Sequence, residues 1–367
     1  MIASPRILLG AGRLAELGEA VRPLGGHCLL VTGRRAMAES GFLDRACHSL
    51  TEAGVGAVVF SEISGEPTPE IVDEARKICV GASAQFVIGL GGGSALDTAK
   101  AVAALARSER SCRDYFSGLP VPGDGLPCIA VPSTFGTGSE ATVFAVLKDS
   151  RSATKRSISH PSMMPALALV DADLGTGTPE RQAAASGLDG LTQALESWMS
   201  RSATDETRAR SERAFGLLAA GLDSLRGGRW EEEGKEPCAE GALLAGIAFQ
   251  NAGLGLVHGL AHPLGGLREE GHGELCAVLL PHVLRYNRRR ARPIFDRAER
   301  IVGGDLVLWS QTLVRDLDFA PDLRHLELTA AEQGEIARRT LAAGPTKANP
   351  REVSDTDLLS LLADLCG

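Results

Sequence analysis

The chain has 367 residues, of which 44% are hydrophobic and 43 are glycine, and it carries a formal net charge of −8. That length exceeds what one hydrophobic core usually organises, so two domains are expected, and the composition excludes a disordered or fibrous chain. Mild acidity gives no general attraction to nucleic acid or to an anionic membrane, and neither is expected as a partner.

Near the start, a single Arg6 and a short apolar run soon meet Gly10 and Gly12, a pattern with neither signal-peptide nor transmembrane form. The expected location is therefore the cytoplasm. Short apolar runs at 27–32, 57–60, 86–90, 128–132 and 167–170, each bounded by Gly, Pro or polar residues, read as strands. Between them, 42–53 and 69–80 carry apolar residues at helical spacing, the second opening with Thr68 as N-cap and Pro69 at the first helical position. Alternating strands and helices predict βαβ units and a parallel sheet. The character changes at Thr178-Pro179-Glu180, a helix start after which long helical patterns dominate. Residues 1–175 are thus expected to form an α/β dinucleotide-binding domain with a parallel sheet, and 176–367 an all-α domain. Within the second half, the acidic stretch 231–235 reads as an exposed loop, and Arg288, Arg289, Arg290 and Arg292 as a solvated helix end. Residues 311–367 carry no readable motif. The 8 cysteines form no Cys-x-x-Cys pair, and several sit in apolar runs, so they read as reduced, buried thiols.

The segment 87–100 passes from a buried strand through Gly89, Gly91, Gly92 and Gly93 into a helix that begins with Ser94, Asp97 and Thr98. Glycines let the backbone approach a pyrophosphate without a Cβ clash, and free N–H groups at a helix N-terminus favour the anion. A tight strand-to-helix turn without any ligand needs glycine as well. A second loop, also following a strand, sets Ser133, Thr134, Thr137 and Ser139 among glycines, where hydroxyls can bond phosphate, ribose or carboxamide. Two such loops in one parallel sheet suggest one dinucleotide spanning both.

In the helical half, Asp189 and Gln193 lie four apart and share a helix face, as do His258 and His262; Gly271-His272-Gly273 follows. Imidazoles in so apolar a stretch need partners if buried. A divalent ion held by Asp189, His258 and His272, with Gln193 as a neutral oxygen donor, would satisfy them and leave a position for a substrate oxygen. His262, outside that set, is then expected to serve proton transfer. Core or capping histidines bonded to backbone carbonyls are the alternative.

Together these residues resemble the iron-containing (group III) alcohol dehydrogenase family, from Pro5-Arg6-Ile7 to about Asn287. The glycine loop, the hydroxyl loop, the Asp189 helix, the stretch from His258 to Gly265 and Gly271-His272-Gly273 follow the family's order and spacing. The resemblance implies a dehydroquinate synthase-like architecture and nicotinamide-linked hydride transfer to an aldehyde or ketone. It further implies Fe²⁺, or sometimes Zn²⁺, held by an aspartate and three histidines. Asp189, His258 and His272 fall on three of those four positions; Gln193 replaces the usual histidine. By family position Lys155 is a further cofactor contact. Where NAD-using members tend to carry an acid after the second strand, this chain reads Gly33-Arg34-Arg35, which predicts NADP(H) over NAD(H), with Gly33 and Arg34 at the 2′-phosphate. A small aldehyde or alcohol as substrate and a homodimer or higher homo-oligomer are expected. The competing readings are a metal-free maleylacetate-reductase-like enzyme, a dehydroquinate-synthase-like lyase and a non-catalytic nucleotide-binding protein. The lyase should gather several lysines and arginines near the metal, and around His258 to His272 only Arg268 qualifies.

Overall fold

A computed structural model of the chain describes residues 4–149, 154–268 and 270–367. The backbone divides into two units, Met1–Thr178 and Pro179–Gly367.

The first unit is built on six parallel strands: β1 (Arg6–Leu9), β2 (His27–Gly33), β3 (Gly56–Ile63), β4 (Phe86–Gly91), β5 (Cys128–Pro132) and, after a separate antiparallel pair β6 (Phe144–Asp149) and β7 (Thr154–Ser159), β8 (Leu167–Val170). Their order across the sheet is β1-β8-β5-β4-β2-β3. Successive residues of a strand feed opposite faces. Leu29 and Val31 pack with Val87, Ala99 and Val102 on one side, while Cys28 and Leu30 pack with Ile88, Phe42 and Leu50 on the other. Burial on both faces explains why β2, β4, β5 and β8 read as continuous apolar runs rather than alternating ones. The helices α1 (Phe42–Glu52), α2 (Pro69–Gly81) and α3 (Gly93–Leu105) supply the covering layers, and the Thr68 hydroxyl caps α2 by accepting from Ile71 N at 3.3 Å.

Three strands escape the sequence reading. β1 is only four residues long, pairs among the described residues only with β8 and takes its register from it, Arg6 opposite Leu167. The β6–β7 pair mixes charged and apolar residues without a clean turn signal, and Lys148 faces Lys155 across it.

Every strand among the described residues lies in the first unit; the second is helical. Its central helix α4 (Glu180–Met199) is buried along its second half and packs against α5 (Asp205–Arg226), α6 (Lys235–Ala252) and α8 (His272–Asn287), while α7 (Leu256–Leu267) packs on α8. The Trp198 and Phe215 rings meet at a tilt in this core, their centroids 6.0 Å apart. The stretch expected as an acidic loop is instead a wide helical turn, Trp230–Gly234, running straight into α6. Gly234 sits under the Trp230 ring, and the i,i+4 pairs Arg229–Glu233 and Lys235–Glu231, each at 2.8 Å, hold the turn helical. The arginine run is tied down at two points: Arg288 pairs with Glu299 and Asp305, and Arg292 with Asp296 and Glu299. All eight cysteines are free thiols, Cys47 and Cys366 being partly exposed and the others buried. Among the described residues no single helix is long and apolar enough to cross a membrane.

Candidate active site

Parallel register places the ends of the central strands side by side. Thr32 stands opposite Leu90, and Gly91 opposite Pro132, so Gly33, the glycine loop and the hydroxyl loop all leave the sheet at its carboxyl edge. The strand order reverses between β2 and β4, the topological position at which open α/β sheets bind ligands. Gly91 has φ +145°, which side chains rarely adopt, and a Cβ on Gly93 would lie 2.9 Å from the Thr137 methyl. The two loops therefore nest, with Thr134 against Gly92 and Thr137 against Gly93. Gly92, the N-cap of α3, offers no side-chain cap, so none of the first-turn N–H groups is taken up by one. Ser133 is fixed by its N–H to Gly91 O at 2.9 Å.

Asp97 also ties elements of the first unit together. Its carboxylate accepts from the Ser139 hydroxyl at 2.5 Å and from Val146 N at 2.8 Å, tying the glycine-loop helix to the hydroxyl loop and to β6. Lys100, which the sequence reading assigned no role, is fully buried and braces the same loop: its ammonium donates to Ser139 O, Thr142 O and Thr142 Oγ1 and pairs with Asp97 at 3.4 Å. Burial pushes the Lys100 pKa down, against the pull of Asp97. Beside it, burial pushes the Glu140 carboxyl up to about 7. Lys155, on β7, pairs with Glu66. Arg34 and Arg35 are exposed after β2, and Arg34 meets Glu62 of β3 at 3.0 Å. That acid comes from the neighbouring strand, where no linear pattern could show it.

In the second unit, three helices aim donors at one point. Asp189 comes from α4, His258 from α7, and His272 from the start of α8; together with Cys276, one helical turn after His272, their donor atoms all lie within 4.8 Å of one another. His258 Nε2 is 3.2 Å from Asp189 Oδ1, and His272 Nε2 is 3.7 Å from the same oxygen. Asp189 and His258 are buried, whereas the His272 side chain is 32% exposed, so the cluster opens on one side. Both ring nitrogens of His258 meet carboxylates. Burial alone would lower its pKa, but Asp189 and Glu196 outweigh that and push it up to about 9. For Asp189 burial works in the raising direction, and the imidazoles of His272 and His258 outweigh it, holding the carboxyl below its usual range. The amide of Gln193 hydrogen-bonds Asp189. His262 lies against the cluster, its ring stacked on His272 at 5.5 Å and edge-on to His258 at 6.1 Å. An anionic oxygen, two imidazoles and a sulfur converging from separate helices form a donor set that suits a borderline divalent ion.

Two members of this constellation have no role in the sequence reading. Glu196 lies seven residues after Asp189 on the same face of α4; it accepts from His258 Nδ1 at 2.7 Å, from Gly255 N at 2.9 Å and from Val257 N at 2.5 Å. The i,i+7 spacing was its only signal. Cys276 stands four residues after His272, the same spacing that drew attention to His258 and His262, and its Sγ is 3.7 Å from His272 Nε2.

Residues 4–172 match the family described as iron-containing alcohol dehydrogenase, and residues 183–366 match the C-terminal part of the Fe-containing alcohol dehydrogenase family. Lactaldehyde reductase of Escherichia coli K12 is 29% identical over 98% of both chains. Long-chain-alcohol dehydrogenase 1 of Geobacillus thermodenitrificans is 35% identical over 79% of this chain and 73% of its own. Among solved structures, sulfoacetaldehyde reductase from Bifidobacterium kashiwanohense in complex with NAD⁺ superimposes with a TM-score of 0.91 at 27% identity, covering 100% of this chain and 98% of that one.

Proposed function

The chain belongs to the iron-containing alcohol dehydrogenase family, and from that membership and its donor cluster we propose a metal-dependent reductase that interconverts a small aldehyde or ketone and its alcohol, using a nicotinamide dinucleotide. The observation that carries the metal-dependent reading is the convergence of Asp189, His258 and His272 within 4.8 Å beside a partly exposed opening. These three residues would hold the ion. When bound, it would supply Lewis acidity toward the carbonyl oxygen, and the dihydronicotinamide would supply the hydride.

The chain's own groups then have defined tasks. Gly91, Gly92, Gly93 and Ser94 present backbone N–H groups to the pyrophosphate, with Ser133, Thr134 and Thr137 offering hydroxyls beside them and Ser139, whose hydroxyl donates to Asp97, holding the loop in place. Glu196 fixes the His258 ring by accepting from Nδ1, which turns Nε2 toward Asp189. His262, partly exposed and stacked on His272, relays the proton that the alkoxide product requires. For the cofactor, Arg34 and Arg35 after Gly33 support NADP(H) over NAD(H), with the Arg34–Glu62 pair opening to admit a 2′-phosphate. The relative solved with NAD⁺ sets the contrast.

The test is elemental analysis of protein purified without chelator, joined to NADPH and NADH oxidation with an aldehyde panel. Stoichiometric metal, with turnover lost in His272→Ala, supports the reading. Retained aldehyde reduction without metal would overturn its metal-dependent part and indicate a maleylacetate-reductase-like mechanism. Glu62→Gln should raise the NADPH to NADH ratio of kcat/KM and Arg34→Ala lower it; equal ratios in all three proteins would refute the assignment of Arg34.

A further inference from the structure

We infer that Cys276 is a direct sulfur ligand of the metal, the fourth protein donor of a site in which residue 193 is a glutamine. The inference rests on the metal site proposed above. A tetrahedral ion with bonds near 2.0–2.2 Å to nitrogen and oxygen and near 2.3 Å to sulfur sets its donors roughly 3.3–3.7 Å apart. Asp189 Oδ1 stands 3.2 Å from His258 Nε2 and 3.7 Å from His272 Nε2, and Cys276 Sγ stands 3.7 Å from His272 Nε2. The sulfur thus lies at a ligand's spacing from its neighbour, with all four donor atoms within 4.8 Å.

Helix geometry gives the reason. His272 and Cys276 are separated by one turn of α8, so both side chains reach the same point. Asp189 and Gln193 have the same relation on α4, yet the Gln193 amide donates to the Asp189 carboxylate and so holds that ligand. Position 193 therefore supports the donor set from α4, and α8 fills it. Cys276 is fully buried, and its thiol faces Asp189 and His272. When a divalent ion binds, the metal–sulfur bond replaces the S–H bond and a metal–nitrogen bond replaces the N–H that His258 Nε2 directs at Asp189, and both protons leave to solvent. Charge then balances, because two neutral imidazoles and two anions, Asp189 and the Cys276 thiolate, match one dication. A substrate oxygen would enter as a fifth ligand.

Cobalt(II) reports the bond directly, since a coordinated thiolate adds a charge-transfer band in the near ultraviolet. The full chain, stripped of metal and reloaded anaerobically with cobalt(II), should hold one cobalt and show that band. Cys276→Ser should lose the band and bind cobalt at least roughly tenfold more weakly, with an unchanged far-ultraviolet circular dichroism spectrum. X-ray absorption of the loaded wild-type protein needs no variant and should show a sulfur shell near about 2.3 Å. Cobalt bound without the band and without the sulfur shell overturns the inference and leaves the metal site standing; a band that persists in Cys276→Ser overturns it too. No cobalt bound to the wild-type chain overturns both this inference and the metal-dependent reading.

Discussion

At the scale of single residues, buried carboxylates decide how the candidate site is held. Glu196 divides its two oxygens among His258 Nδ1 and the N–H groups of Gly255 and Val257. It therefore orients the imidazole and caps the start of the helix that carries it. Glu196→Gln puts an amide NH₂ against groups that donate, leaving at least one buried donor unpaired at a cost of about 1–3 kcal/mol. Metal affinity, read by chelator competition, should fall roughly 10- to 100-fold; wild-type affinity in a folded variant would refute the role. Glu140 gives a prediction of pH dependence. Its folded pKa is raised to about 7 from 4.5, so the fold keeps the proton over a range in which the unfolded chain has lost it. Stability from this group is complete below pH 4.5 and is lost as pH rises through 7. At about 1.4 kcal/mol per unit, the loss amounts to about 3 kcal/mol. Glu140→Gln should therefore gain on the wild type by about that much between pH 4.5 and 8 in urea unfolding; an equal difference at both pH values would count against it.

At the scale of elements, the last segment of the chain shapes the helix that bears His258. Asn349, fully buried, accepts from Leu256 N at 3.3 Å and exchanges side-chain hydrogen bonds with Asn287 at 2.9 Å. Thr346 presses on the next turn, where a Cβ on Gly259 would lie 2.2 Å from its hydroxyl oxygen. Residues 311–367 looked empty of motif because this work is done by single polar contacts across a sequence separation of 93 residues for Asn349 and Leu256, which no local pattern records. Gly259→Ala should cost about 1–3 kcal/mol through overpacking, and Thr346→Ala in the same chain should recover most of it. If the double variant is no more stable than Gly259→Ala alone, the contact is not the cause. The same contrast governs what the sequence could show of the site. Asp189, His258 and His272 stood out because aspartate and histidine are unusual in apolar helices. Cys276 did not, since a buried thiol is ordinary among eight cysteines, and Lys100 was hidden because its partners, Ser139 and Thr142, lie about forty residues away, at separations of 39 and 42. Strands β2, β4, β5 and β8 were legible as apolar runs because both faces of the sheet are covered, whereas β1 takes its shape from β8.

At the scale of the molecule, the two units divide the chemistry as they divide the core. The glycine and hydroxyl loops belong to Met1–Thr178, and Asp189, His258, His272 and Cys276 to Pro179–Gly367. Each unit encloses its own buried apolar residues: Leu29, Ile88 and Val131 in the first, Trp198, Phe215 and Leu260 in the second. A ligand that binds only the folded form stabilises by about 2.7 kcal/mol at a hundred times its Kd. For domains of 150–250 residues each kcal/mol moves the midpoint by roughly 2–4 °C, so a shift of roughly 5–10 °C is expected for the unit that binds the ligand. Calorimetry of the full chain should resolve two transitions, one raised by zinc and unmoved by NADP(H), the other raised by NADP(H) and unmoved by zinc. His272→Ala should abolish the zinc shift and leave the nucleotide shift intact, which separates loss of the metal site from general damage to the fold. One transition moved by both ligands would mean that the units unfold as a single cooperative body, and the assignment of each ligand to its own unit would then need the variants alone to support it.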